Sequence, residues 1–108
     1  MATASFSLSV SSRGNDFVIG GSGALDVEGM VSLRQSVEDS CKKKDASVLL
    51  DLMMVSELDP DVVLALVETA DFCRGLGVPF SVTFNPELLR ILNDSGYDAE
   101  LLPLSSNH

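Results

Sequence analysis

Four carboxylates fall between positions 51 and 61, namely Asp51, Glu57, Asp59 and Asp61, and acidic side chains this dense raise metal chemistry first. At the carboxyl edge of a sheet they would suit magnesium, a hard cation held by a few oxygens. Phosphoryl-accepting receiver domains use such a site, but their length, element order and distant lysine have no counterpart here. His108 is the only histidine and stands at the end of the chain, with no serine or cysteine placed to form a triad or a zinc site with it. Cys41 and Cys73 fall on helical faces without CxxC or Cys/His spacing, so the expectation is two buried free thiols rather than a disulfide or a zinc site. Gly20-Gly21-Ser22-Gly23 precedes a helix, where Gly-rich backbone can cradle an anion. It lacks the Gly-Lys-Ser/Thr of a phosphate loop and the wider dinucleotide fingerprint, so a bend or bulge is expected. No catalytic residue, metal ligand or cofactor site emerges, and an enzyme is not expected.

The elements that position these residues follow from periodicity. Ser5 to Ser11 alternates polar and apolar as a half-buried strand should, with Phe6, Leu8 and Val10 predicted inward. The turn Ser12-Arg13-Gly14-Asn15-Asp16 leads into a partner strand at Phe17-Val18-Ile19. Asp26 caps a helix predicted to run to about Lys44, with Met30, Leu33, Val37 and Cys41 on its buried stripe and Lys42, Lys43 and Lys44 in its last turn, where cations suit the dipole. Val48-Leu49-Leu50-Asp51-Leu52 reads as a buried strand, followed by a short loop at 56–61. Asp59 then caps a second helix, with Pro60 at its first position and Asp61 in its first turn. This helix runs to about Arg74 and is closed by Gly75-Leu76-Gly77. A strand over 78–84 follows, then a helix opened by Asn85-Pro86-Glu87 and ending near Ser95-Gly96, with a short strand at 100–104. The expected fold is an α/β sandwich: a mixed, mainly parallel sheet of four to five strands packed by helices.

The second helix carries a further clue. With Val63, Leu66, Val67, Ala70 and Cys73 inward, Asp61, Ala65, Glu68 and Phe72 turn to the opposite face and Leu64 lies near its edge. Phe72 and Leu64 beside two carboxylates read as a docking surface, although isolated exposed apolar residues are also ordinary.

Composition narrows the partners. The 108 residues suffice for one domain, and 7 Lys+Arg against 16 Asp+Glu leave a net charge of -9, which repels nucleic acid and anionic membrane surfaces. The first residues lack the pattern of a secretion signal and no run approaches the ~20 apolar residues of a membrane span, so a cytoplasmic protein with a protein partner is expected.

Order and spacing together resemble the STAS domain, shared by anti-sigma factor antagonists and the cytoplasmic tails of sulfate transporters. The resemblance rests on Gly23-Ala24-Leu25-Asp26, on Val48-Leu49-Leu50-Asp51-Leu52 with Val55 and Leu58-Asp59 after it, and on Pro86 to Tyr97. It covers nearly all of 5–104, leaving 1–4 and 105–108 as expected flexible ends. Where the antagonists read Asp-Ser-Ser-Gly, with the second serine phosphorylated by a partner kinase, this chain reads Asp59-Pro60-Asp61-Val62. The resemblance implies a bacterial, non-catalytic module that binds an anti-sigma factor with an ATPase-like kinase fold and so controls sigma factor availability. Its surface would comprise Ser56, Glu57, Asp59, Asp61, Leu64, Ala65, Glu68 and Phe72. Asp61, at the phosphoserine position, would act as a fixed phosphomimic, as an anchor for a basic partner residue, or only as a helix-start residue. Ser56 is the only hydroxyl close by. A cytoplasmic subunit of a lipid or anion transport assembly is the alternative within the same resemblance.

Overall fold

The alternating N-terminal segment forms β1 (Ser7–Arg13), and Gly14-Asn15 turns the chain into β2 (Asp16–Leu25). Gly14, at φ 63°, supplies the left-handed first position that a two-residue hairpin of the II′ kind requires. There follow α1 (Val27–Cys41), β3 (Ser47–Leu58), α2 (Pro60–Gly75), β4 (Phe80–Phe84) and α3 (Pro86–Asp94), in a computed structural model that describes residues 6–94. The strand order is β1-β2-β3-β4, with β1 antiparallel to β2 and the other pairs parallel. This is the mixed, mainly parallel α/β arrangement expected, with four strands among the described residues. The strand expected at 100–104 and the chain ends lie outside the described residues.

Both crossovers, β2-α1-β3 and β3-α2-β4, step the same way across the sheet, so their right-handedness lays α1 and α2 side by side on one face. There Met30, Leu33 and Val37 of α1 and Val63, Leu66 and Ala70 of α2 meet Ile19, Leu50, Leu52 and Val82 of the sheet, and Leu88 and Leu92 of α3 join the same core.

Four local expectations are corrected. Leu8 and Val10 are not inward: Val10 lies opposite buried Ile19, yet β1 is an edge strand and Val10 is 53% exposed. Of the three residues only Phe6 packs against the core, half-buried. Gly20-Gly21-Ser22-Gly23 does not end the strand expected at 17–19 but continues β2, and the bulge expected there is present as two shifts of its register against β3. A Cβ at Gly20 would strike the backbone carbonyl of Asp51, and one at Gly21 the carbonyl of Ser7, so the flanking strands approach closely there. Helix α1 stops at Cys41, leaving Lys42, Lys43 and Lys44 beyond its last turn. The chain reverses through Asp45, at φ 57°, so that Ser47 N can reach Asn15 O at 3.0 Å and start β3.

The fourth correction concerns β3, which runs to Leu58 instead of yielding to a loop at Ser56. Between the pairs Gly20↔Asp51 and Ser22↔Met54, and again between Gly23↔Val55 and Ala24↔Glu57, β3 carries one residue more than β2. Each bulge shifts the alternation, exposing Met53-Met54 and Ser56-Glu57 while keeping Leu52, Val55 and Leu58 in the core at intervals of three.

Candidate functional site

The two bulges deliver the chain to the start of α2. Asp59 N donates to Leu25 O at 3.1 Å, which ties the end of β3 to the end of β2. The Asp59 carboxylate caps α2 by accepting from Asp61 N at 3.0 Å, with Pro60 at the first helical position. Only Asp59 separates strand from helix, so Asp61 is set rigidly at the helix N-terminus with its side chain exposed. Its neighbour Val62 is 1% exposed and belongs to the core.

Helix α1 starts at the same edge of the sheet, capped by Asp26, whose carboxylate accepts from Gly29 N at 2.8 Å. The first turns of the two helices enclose a shallow groove of about 110 Å³ lined by Val27, Met30, Val31, Arg34, Asp61, Val62 and Ala65. Its rim is apolar and open: Val27 is 54% exposed and Val31 67%. Leu64, on the outer face of α2 and not in the groove lining, is 52% exposed. Arg34 is held by Glu38 at 2.9 Å and by Glu68 of α2 at 3.6 Å. Among the described residues, no basic side chain forms an ion pair with Asp61. The groove therefore combines apolar contact area with an anionic group at a helix start, where the dipole stabilises it.

The structure divides the predicted surface. Asp61, Leu64 and Glu68 are exposed as expected, Asp61 alone of the three lining the groove, and Ser56 and Glu57 are exposed on the second bulge of β3. Ala65 is half-buried in the groove wall. Phe72 is corrected: it is half-buried and packed against the core rather than solvent-facing. The reason is the flank of α1, which widens the buried arc of α2 to include Val62 and Thr69. Thr69 is fully buried and returns its hydroxyl proton to Ala65 O at 2.7 Å. Sequence reasoning did not include Val27, Met30, Val31 or Arg34. Their signal was an apolar pair at i, i+4, Val27 and Val31, that stands off the buried stripe of α1.

Among the described residues no three His, Cys, Asp or Glu side chains converge on a point suited to a metal ion. Asp51 is engaged within the sheet, accepting from Met53 N at 3.1 Å and from Thr83 Oγ1 at 3.2 Å, and so stabilises the first bulge. Cys41 and Cys73 are not free thiols: a disulfide joins them, with Cα atoms 5.9 Å apart. Parallel helices of similar length end side by side, and that proximity was not visible from a sequence separation of 32. No helix among the described residues is long and apolar enough to cross a membrane.

The fold is that of the STAS anti-sigma factor antagonists, as similar solved structures show. RsbS from Moorella thermoacetica, in a form with a serine-to-glutamate substitution, superimposes with a TM-score of 0.74 at 17% identity, over 94% of this chain and 87% of that one. An anti-sigma factor antagonist from Mycobacterium paratuberculosis gives 0.73 at 19% identity, over 98% and 92%. The antagonist SpoIIAA in its unphosphorylated form gives 0.65 at 16% identity, over 85% and 81%. No protein-family model and no curated protein matches the sequence.

Proposed function

We propose that this chain is a non-catalytic, cytoplasmic regulatory module of the anti-sigma factor antagonist type. It binds an anti-sigma factor of ATPase-like kinase fold and thereby controls the availability of a sigma factor. The observation that supports the reading is the groove at the starts of α1 and α2, where exposed Val27 and Val31 stand beside Asp61, the residue that the sequence resemblance matches to the antagonists' phosphorylated serine. One of the similar structures itself carries a glutamate in place of a serine, so this fold accommodates an engineered carboxylate substitution. A carboxylate carries about one negative charge against roughly 1.5 to 2 for a phosphoserine, and it cannot be removed by a phosphatase. Asp61 therefore imposes a permanent charge at the docking edge, and any regulation by a phosphate must act elsewhere.

The test is affinity capture from native lysate with the immobilised full chain, beside a Val31→Asp variant of equal melting temperature. The expected result is an ATPase-fold protein that the wild type retains and the variant loses. Recovery of transporter components, or equal capture by both chains, would overturn the reading.

A further inference from the structure

The far end of the α1–α2 pair holds chemistry that docking does not use. Cys41 is the last residue of α1 and Cys73 lies in the last turn of α2, so the disulfide ties the two helices at the end opposite the groove. At the groove itself, the exposed Arg34–Glu68 pair also links the two helices. The two sulfurs are not equivalent. Both cysteines belong to the buried core, Cys73 at 0% and Cys41 at 3% exposure, but of the two only Cys41 is in the lining of an open cleft of about 670 Å³ walled by Lys42, Lys43, Ser47, Gly77 and Pro79. Two of the chain's 7 basic residues stand at this cleft, against the single carboxylate of Asp45. In a chain of net charge -9 it is a place where a small anion meets locally favourable charge.

We propose that Cys41–Cys73 is a thiol-exchange site entered at Cys41 by a small, carboxylate-bearing thiol, and that its state sets how firmly α1 and α2 are held together. A thiolate from the cleft attacks Cys41 Sγ, forming a mixed disulfide, and the Cys41–Cys73 bond breaks with its electron pair going to Cys73 Sγ. That sulfur takes up the proton the attacking thiol gave to water. A second thiolate attacks the small molecule's own sulfur, releasing a low-molecular-weight disulfide and the Cys41 thiolate, which is protonated in turn. One protein disulfide and two thiols thus become two protein thiols and one small disulfide, and oxidation by the small disulfide runs the same steps backwards. Opening the tie frees the lower ends of both helices and loosens the groove above. That this loosening alters partner binding rests on the proposed function, but the exchange chemistry does not.

The experiment uses the full chain with reduced glutathione as the carboxylate-bearing thiol and 2-mercaptoethanol as the uncharged one, read by alkylation and intact mass. Reduction of the folded wild type by glutathione is expected, and the Lys42→Glu, Lys43→Glu double variant should slow it by about 3- to 10-fold while leaving the 2-mercaptoethanol rate unchanged. With oxidised glutathione, Cys73→Ser should gain one glutathione at Cys41, whereas Cys41→Ser should resist modification at Cys73 until unfolded. Hydrogen exchange at 27–34 and 61–65 of the wild type should be faster in the reduced than in the oxidised chain. The exchange proposal is overturned if the wild-type disulfide yields to either thiol only in denaturant, or if the lysine reversals slow both thiols equally. Unchanged hydrogen exchange on reduction overturns the coupling to the groove. The wild-type rates and exchange patterns decide even where a cysteine variant does not fold, and none of these readouts involves the docking partner.

Discussion

Asn85 makes three hydrogen bonds with one side chain. Its Oδ1 caps α3 by accepting from Leu88 N at 2.9 Å, and its Nδ2 donates to Met53 O and Val55 O, each at 3.0 Å. The β3–β4 ladder ends at Leu52↔Phe84, so the amide continues β4 as a substitute strand and pins the bulged half of β3 that leads to Asp61. Asn85→Ala should lower stability by about 2–3 kcal/mol, through the lost cap and two abandoned carbonyls. Asn85→Ser, which restores the cap alone, should recover about 1 kcal/mol of that. Urea unfolding midpoints of the three chains check the order, and equal midpoints would mean that the amide does not hold β3. The glycines divide the same way. Gly20→Ala forces a methyl group into the Asp51 backbone and should cost roughly 2 kcal/mol or more, whereas Gly75→Ala, at a helical position with open space around it, should stabilise by about 0.4–1 kcal/mol.

At the scale of elements, α2 carries most of the functional argument, and its faces separate in a stability series. Leu66→Ala, within the core, should cost about 2–5 kcal/mol, and Leu64→Ala, on the exposed outer face of α2, no more than about 0.5. Half-buried Phe72 falls between, at about 1–3 kcal/mol for Phe72→Ala, and thermal melts of the three variants test that ranking. If Phe72→Ala leaves the melt unchanged, the side chain is solvent-facing after all. Opening the Cys41–Cys73 tie should lower stability by about 3–4 kcal/mol on the chain-entropy view of a loop this long, measured as the shift in urea midpoint between oxidised and reduced chains. The same helix shows what the sequence could and could not reveal. Its start was legible because Asp59, Pro60 and Asp61 act locally, through a cap, a fixed φ and a dipole. The caps of α1 and α3 were legible for the same kind of reason, and the mixed, mainly parallel sheet from the alternation of strands and helices, although the strand order itself was not. The last six residues of β3 were not, because bulges at two places turn strand alternation into the three-residue spacing Leu52, Val55, Leu58, which does not read as a strand. Nor was the groove, because Val27 and Val31 acquire meaning only when the crossovers set α1 beside Asp61. The disulfide was missed for the same reason, since it depends on where two helices end in space.

At the scale of the whole molecule, charge decides how the groove is approached. A chain with 16 acidic and 7 basic residues draws a basic partner surface toward it, and screening over roughly 10 Å at moderate salt weakens that attraction. Asp61 sits where this general field meets a specific contact, and its three possible meanings predict different responses to Asp61→Ser. If the carboxylate imitates a phosphorylated, weak-binding state, removing it should strengthen binding of an anti-sigma partner and create a hydroxyl that the partner's kinase activity can modify. If Asp61 anchors a basic side chain, the substitution should weaken binding, and the wild-type affinity should fall more steeply with salt than that of the variant. If it only begins the helix, affinity should stay level and stability should change by no more than about 1 kcal/mol, since serine is also tolerated at helix starts. The exposed apolar rim of Val27 and Val31 is common to all three cases, so the salt slope and not the affinity alone separates them. We expect the strengthening outcome, because the sequence resemblance matches Asp61 to the antagonists' phosphoserine and, among the described residues, Asp61 makes no ion pair that would already neutralise it. Titration of wild type and Asp61→Ser against the captured partner at two ionic strengths measures both quantities, and a clear loss of affinity in the variant would rule out the phosphomimic.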